Sequence, residues 1–170
     1  FSFKPMFKKI RFSGYQKSAV NKICTSLEKN EFTPFLLHGV TGSGKTEIYI
    51  EAARHAISQG KTVIMLLPEI SLTPQIAARF RSVFGDEVAM WHSKLNQSAR
   101  AWTWKRICAG DYKVVIGARS AIFSPLKNLG LIVVDEEQEN SYKQESPAPR
   151  YHARDVSLMR GKIHNATVVL

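Results

Sequence analysis

Apolar residues along the chain come in short bursts separated by longer stretches with a helical repeat. Val20, Ile23, Cys24 and Leu27 share one face of a helix over residues 15–29. Bursts at 35–37, 63–67, 88–91, 114–116, 131–134 and 167–170 predict strands, and helical segments fall between several of them at about 46–59, 74–84, 97–109 and 152–161. Thr73 followed by Pro74 supplies a helix start, while Gly60 and Gly110 stand where helices should end. The strands are continuously apolar rather than alternating, so they are expected to be buried on both faces. That predicts an α/β fold with a parallel β-sheet sandwiched by helices, and no internal repeat or low-complexity segment competes with it. Ligands of such sheets gather at the carboxyl ends of the strands.

One loop at such an end carries a specific pattern. Residues 36–47 read LLHGVTGSGKTE, in which Gly39, Gly44, Lys45 and Thr46 fit G-x-x-x-x-G-K-[ST] at every position. Glycines let backbone N–H groups wrap a phosphate closely, and the following helix aims its positive end at the same anion. Thr41, Gly42 and Ser43 complete the candidate cradle. Lys45 is expected to reach the β/γ-phosphates of ATP, and Thr46 to hold Mg²⁺ through its hydroxyl.

A second cluster answers the first. At 130–138 the chain reads GLIVVDEEQ, a buried strand ending in three consecutive carboxylates. Such a run is costly unless a cation sits beside it. Asp135 is therefore a candidate Mg²⁺ ligand and Glu136 a candidate base for an attacking water, with Lys45 as the third catalytic candidate. A solvated acidic turn is the plainer alternative. The two loops alone would also suit a kinase or a transporter ATPase.

Composition narrows the class only a little. The 170 residues are 44% hydrophobic, enough for one domain with an ordinary core. A formal net charge of +10 suits a polyanionic partner. Cys24 and Cys108 make no C-x-x-C pair, so neither a zinc site nor a disulfide framework is expected, and a reducing cytoplasm is the default location. VIMLL and LIVV are too short to span a bilayer, and no signal peptide is visible. Residue 1 is Phe and NATVVL stops inside a strand, so the chain reads as a piece of a larger protein. Residues 1–14 are then a linker from a preceding domain and 15–170 the nucleotide-binding lobe.

Three further blocks decide between the classes: LLPEISLTPQ at 66–75, VVIGARSAIFSPLKNLGLIVVDEEQENSYKQ at 114–144, and APRYHARDVSLMR at 148–160. Together with GVTGSGKTE they resemble, in order and from about Gln16 onward, the primosomal protein N′ (PriA) family of bacterial replication-restart helicases in superfamily 2. The resemblance implies a RecA-like P-loop lobe, the first of two. It also implies an ATP- and Mg²⁺-dependent enzyme that moves 3′ to 5′ on single-stranded DNA and reloads the replisome at stalled forks. Implied partners are single-stranded and forked DNA, the second lobe of the same chain and other primosome proteins. The family's zinc-binding insertion lies outside this chain, and the family continues past this point into a G-S-A-T-P motif.

By that resemblance, Gln16 matches a glutamine that reads adenine, a task for which one donor and one acceptor are suited. A capping box from Ser13 to Gln16 is the competing structural role. Pro68, Glu69, Thr73 and Gln75 match a first DNA-tracking segment, and Gly117, Arg119 and Ser120 a second. Hydroxyls, backbone N–H groups and Arg119 there would grip phosphates without reading sequence. In ENSYKQESPAPRYHARD, Tyr142, Lys143, Arg150, Tyr151, His152 and Arg154 interleave rings with cations. Rings stack on bases while cations track the backbone, and in similar helicases a loop here senses single-stranded DNA. Tyr151 as core, and Arg154 pairing with Asp155, are the structural alternatives. Trp102 and Trp104 are expected to pack, one buried and one exposed.

The chain departs from the family pattern at three places. Gln138 stands where His is usual, so it can hydrogen-bond toward a γ-phosphate but cannot titrate. Ala118 replaces a Thr and loses a hydroxyl; Ser71 replaces a Gly. The surviving alternative is a regulatory or kinase-like P-loop domain whose basic charge is incidental.

Overall fold

The computed structural model describes residues 11–39 and 43–170. Among these residues, six parallel strands form the main sheet: β1 (Thr33–Phe35), β2 (Thr62–Leu66), β3 (Val88–Trp91), β4 (Val114–Gly117), β5 (Leu129–Val134) and β8 (Thr167–Val169), in the order β1-β8-β5-β2-β4-β3. A two-stranded antiparallel hairpin, β6 (Lys143–Gln144) and β7 (Tyr151–His152), stands apart. Helices α1 (Gly14–Lys29), α2 (Lys45–Ser58), α3 (Pro74–Phe84), α4 (Gln97–Ala109) and α5 (Ala153–His164) cover the sheet.

Alternation along each strand builds two cores. Val63, Met65, Val114, Ile116, Leu131 and Val133 point to one face and pack against α1, α2 and α3. Ile64, Leu66, Val115, Ile132, Val134 and Val168 point to the other, against α4, α5 and the 3₁₀ turn Arg119–Phe123. A buried hydroxyl pair, Ser26 and Thr167 at 3.0 Å, joins α1 to β8. On the surface of the first face, Arg79 of α3 grips Glu47 of α2 with two hydrogen bonds of 3.1 and 2.6 Å.

The helix starts follow from local chemistry. Thr73 caps α3, its hydroxyl accepting from Ile76 N at 3.3 Å, and Asn96 caps α4 by accepting from Ala99 N at 2.8 Å. Helix α5 begins at Ala153 and runs on to His164, past the expected end at 161. Strand β1 ends at Phe35, earlier than expected, and Leu36 is exposed. The parallel bonding nevertheless runs on: Leu170 N donates to Phe35 O and Leu37 N to Leu170 O, each at 2.8 Å. Among the described residues, no helix is long and apolar enough to cross a membrane.

Candidate functional site

The loop after β1 delivers the chain into α2, whose first residue is Lys45. Gly44 caps that helix at φ +82, in the left-handed region, and a side chain there would run into Nε2 of Gln16. A Cβ on Gly39 would lie 2.8 Å from Ser43 Oγ. Thr41 and Gly42 fall outside the described residues. Gln16 serves the helix cap and the loop at once. Its Oε1 accepts from Ser13 N at 2.9 Å to close the capping box, while Nε2 donates to Ser43 O at 2.8 Å. The cap and a place beside the nucleotide loop are therefore the same carboxamide.

Strand β5 brings Asp135 and Glu136 opposite Lys45. Lys45 Nζ lies 2.9 Å from Glu136 Oε1 and 3.8 Å from Asp135 Oδ1, with all three side chains at least 73% covered. Gln138 Nε2 donates to Glu136 Oε2 at 2.8 Å, so both oxygens of that carboxylate are engaged. Glu136 sits at φ +50, a left-handed backbone that costs a non-glycine residue roughly 1–2 kcal/mol. The hydrogen bond from Lys45, then that from Gln138, lowers its pKa. Its neighbour behaves oppposite in sign: burial raises the pKa of Asp135, although Tyr49 and Lys45 pull it down.

Two buried tyrosines hold Asp135. Tyr49 Oη donates to its Oδ1 at 2.9 Å, and Tyr142 Oη to its main-chain oxygen at 2.6 Å. Tyr142 is fully buried, so it has no face to offer a base, contrary to the expectation from its place among cations. Burial pushes both phenols far up, and they stay protonated as donors. The residues here fit a divalent metal with a nucleotide: glycines keep the cradle clear, and a hydroxyl and a carboxylate, Thr46 and Asp135, supply hard oxygen donors. No cluster of three His, Cys, Asp or Glu occurs among the described residues.

Next to this site, the carboxyl ends of β2, β4 and β3 border a cavity of about 380 Å³ whose lining includes Glu69, Ser93, Arg100, Arg119, Ser120 and Gln144. Glu69 accepts from Ser93 N at 3.1 Å and from the Ser93 hydroxyl, which fastens the turn Glu69–Ser71 to the loop after β3; these bonds lower its pKa. Thr73 is spent as the α3 cap, and Gln75 is exposed. Gly117 approaches β3 so closely that a Cβ would strike the Trp91 carbonyl. Ser120 Oγ accepts from Trp91 Nε1 at 3.0 Å. Ala118 lines the cavity, and Ser71 has no positive φ, so nothing in its backbone requires glycine.

Arg119 is held by the hairpin. Its guanidinium donates to Ser141 O at 3.3 Å, Lys143 O at 3.0 Å and Gln144 Oε1 at 3.0 Å, and lies 5.9 Å from the Tyr151 ring centre. All these acceptors are neutral. Lys143 pairs instead with Glu145 at 2.8 Å, and Arg154 with Glu137 at 3.3 Å and Asp155 at 3.2 Å. Among the described residues of this group, only Arg119 and Arg150 have no carboxylate partner. His152 caps α5, its Nδ1 accepting from Arg154 N at 3.2 Å. Tyr151 is half-buried, edge-on to Phe123 at 4.9 Å. Of the two tryptophans, Trp104 packs against Trp91 at 5.3 Å and Trp102 is exposed under Arg106.

The model of the DEAD/DEAH box helicase family matches residues 13–169, nearly the whole described fold. The chain belongs to that family. DEAD/DEAH box helicases are ATP-dependent and use a nucleotide with a divalent metal, so the regulatory or kinase-like reading is not favoured. Among relatives, the replication restart protein PriA of Chlamydia pneumoniae is 52% identical over 155 residues, 91% of this chain and 21% of that protein. The PriA of Bacillus subtilis is 48% identical over 168 residues, 97% of this chain and 21% of that protein. The chain thus spans about a fifth of the length of these relatives. In fold it is similar to RecG in a structure bound to a three-way DNA junction, with TM-score 0.67 and 24% identity over 95% of this chain and 21% of that one. The Hef helicase domain of Pyrococcus furiosus gives TM-score 0.60 and 22% identity over 91% of this chain and 31% of that one. The helicase lobe is therefore RecA-like.

Sequence reasoning missed Tyr49, the left-handed Glu136 and the Trp91–Ser120 bond. One signal for Tyr49 was present: it stands four residues after Lys45, on the same side of α2.

Proposed function

We propose that this chain is the first motor lobe of a bacterial replication-restart DNA helicase that couples hydrolysis of Mg²⁺-bound ATP to 3′-to-5′ movement on single-stranded DNA. The observation that carries this reading is the pairing of Lys45 with Glu136 and Asp135 at the mouth of the nucleotide loop. In the resting state Lys45 neutralises the two acids. When a nucleotide enters, its phosphates compete for Lys45 and leave Glu136 free to orient a water, with Gln138 keeping that carboxylate in place. Thr46 and Asp135 would hold Mg²⁺, which when bound would screen the phosphate charge and polarise the phosphoryl group. Gln16 stands at the loop with a spare N–H and a spare lone pair for the adenine edge.

DNA lies along the carboxyl edge of β2, β4 and β3. Arg119 is fixed by neutral carbonyls and keeps its charge for a phosphate, so it is preorganised; Arg150 supplies a second unpaired cation. Glu69, Thr73 and His152 shape this edge by holding its turns, while Gln75, Ser120, Lys143 and Arg154 border it. Forked DNA, other primosome proteins, a second lobe, a zinc-binding insertion elsewhere in the full-length protein and a cytoplasmic location complete the proposal. It is supported by the similarity to PriA proteins. The test is ATP hydrolysis by the full-length protein with and without single-stranded DNA. Strong stimulation is expected; hydrolysis indifferent to DNA would remove the motor role and return the kinase-like reading.

A further inference from the structure

We infer that Tyr49 is a positioning residue of the metal site: its hydroxyl, bonded to Asp135 Oδ1 at 2.9 Å, holds that carboxylate in place for a divalent cation. The ring of Tyr49 is buried in the core under the sheet, among residues that a phenylalanine would join equally well. Its one polar atom is spent on the acid. The backbone of Asp135 is fixed independently, its N donating to Leu66 O at 2.9 Å and its O accepting from Tyr142. Tyr49 therefore governs the side chain alone. The same Oδ1 lies 3.8 Å from Lys45 Nζ, whereas Glu136 is at 2.9 Å. Without the hydroxyl, Asp135 is free to turn onto the lysine and close an ion pair in the space a cation needs. Helix α2 thus presents two functional groups one turn apart: Lys45 toward phosphate and Tyr49 toward the acid.

This assignment rests on the metal–nucleotide function proposed above, and the experiment separates the two. Mn²⁺ binding to the ADP complex of the full-length protein is followed by electron paramagnetic resonance, for wild type and Tyr49→Phe. ADP affinity without metal and thermal melting are measured beside it. Tyr49→Phe should weaken Mn²⁺ about tenfold, in the range typical for groups that orient metal ligands. Metal-free ADP affinity should stay at its wild-type value, melting should fall only by what one lost hydrogen bond to a carboxylate costs, and the Mg²⁺ concentration for half-maximal hydrolysis should rise in the same ratio as the Mn²⁺ affinity falls. An unchanged Mn²⁺ titration overturns the inference. So does a joint fall in melting temperature and metal-free ADP affinity, which marks a packing role. If wild type itself takes up no Mn²⁺ with ADP, the metal–nucleotide reading fails instead.

Discussion

At the nucleotide edge, residues far apart in sequence spend their side chains on one another: Lys45 on Glu136, Tyr49 on Asp135, Gln16 on the loop at Ser43. Along the neighbouring edge the side chains mostly hold backbone: Thr73 and His152 cap helices, and Arg119 binds two carbonyls. The first arrangement leaves a charged cluster whose members balance until something displaces them. The second produces a stiff rim on which a few charges remain uncompensated. One edge is built to exchange partners, the other to keep its shape.

Breaking the exchange should give the largest effect. Lys45→Ala in the full-length protein should abolish ATP hydrolysis while leaving the fold intact, because Lys45 is the cation that faces both acids. Circular dichroism and a turnover assay check both halves; wild-type turnover would refute the assignment.

The rim can be sharpened residue by residue through salt dependence. Arg119→Ala and Arg150→Ala should each lower the slope of log affinity against log salt for single-stranded DNA by about one contact. Lys143→Ala and Arg154→Ala should lower it less, since Glu145, Glu137 and Asp155 already neutralise them. Tyr151→Ala should cost about 1–3 kcal/mol of binding by lost stacking, with the slope nearly unchanged. Equal slopes for all four cation variants would erase the distinction between paired and unpaired charges.

The smallest effect concerns stability, and its sign differs between adjacent acids. The Asp135 carboxyl has a raised pKa when folded, so its contribution is full below its unfolded pKa and lost as pH rises through the folded one. At neutral pH the ionised group is a cost, and Asp135→Asn should slightly raise the melting temperature of the nucleotide-free protein. Glu136 is depressed, so its contribution is present above its unfolded pKa and lost as pH falls through the folded one. Glu136→Gln should therefore lower melting slightly at neutral pH. Melting curves of both variants at pH 7 decide it.

Much of this was legible in the chain. The central strands read directly because both faces are apolar; Asp135 and Glu136 lie just past the end of β5, and Lys45 opens α2 within a glycine pattern that is legible by itself. The β6–β7 hairpin was not legible: two residues per strand are too few for a repeat, and Ser-Pro-Ala-Pro lies between them. Tyr49 and Tyr142 hid for the opposite reason. A tyrosine in a buried position looks like core, and only the fold shows which carboxylate or carbonyl its hydroxyl meets. Arg119 was found as a cation, but the loop carbonyls that hold it belong to a segment more than twenty residues later.

The strand order has a consequence for the order of synthesis. Among the described residues, strand β1, which leads into the nucleotide loop, stands at the end of the sheet and pairs only with β8, Thr33 beside Thr167 and Phe35 beside Val169. Strands β2, β3, β4 and β5 pair with one another, and β8 joins beside β5 afterwards, so the part of the sheet carrying Arg119 can assemble first. At ribosomal rates of about 5–20 residues per second, β1 waits roughly ten seconds for its neighbour to be made. During that interval the nascent chain holds the Gly44–Lys45 turn on an unpaired strand, and the nucleotide loop is expected to be the last part of the lobe to close.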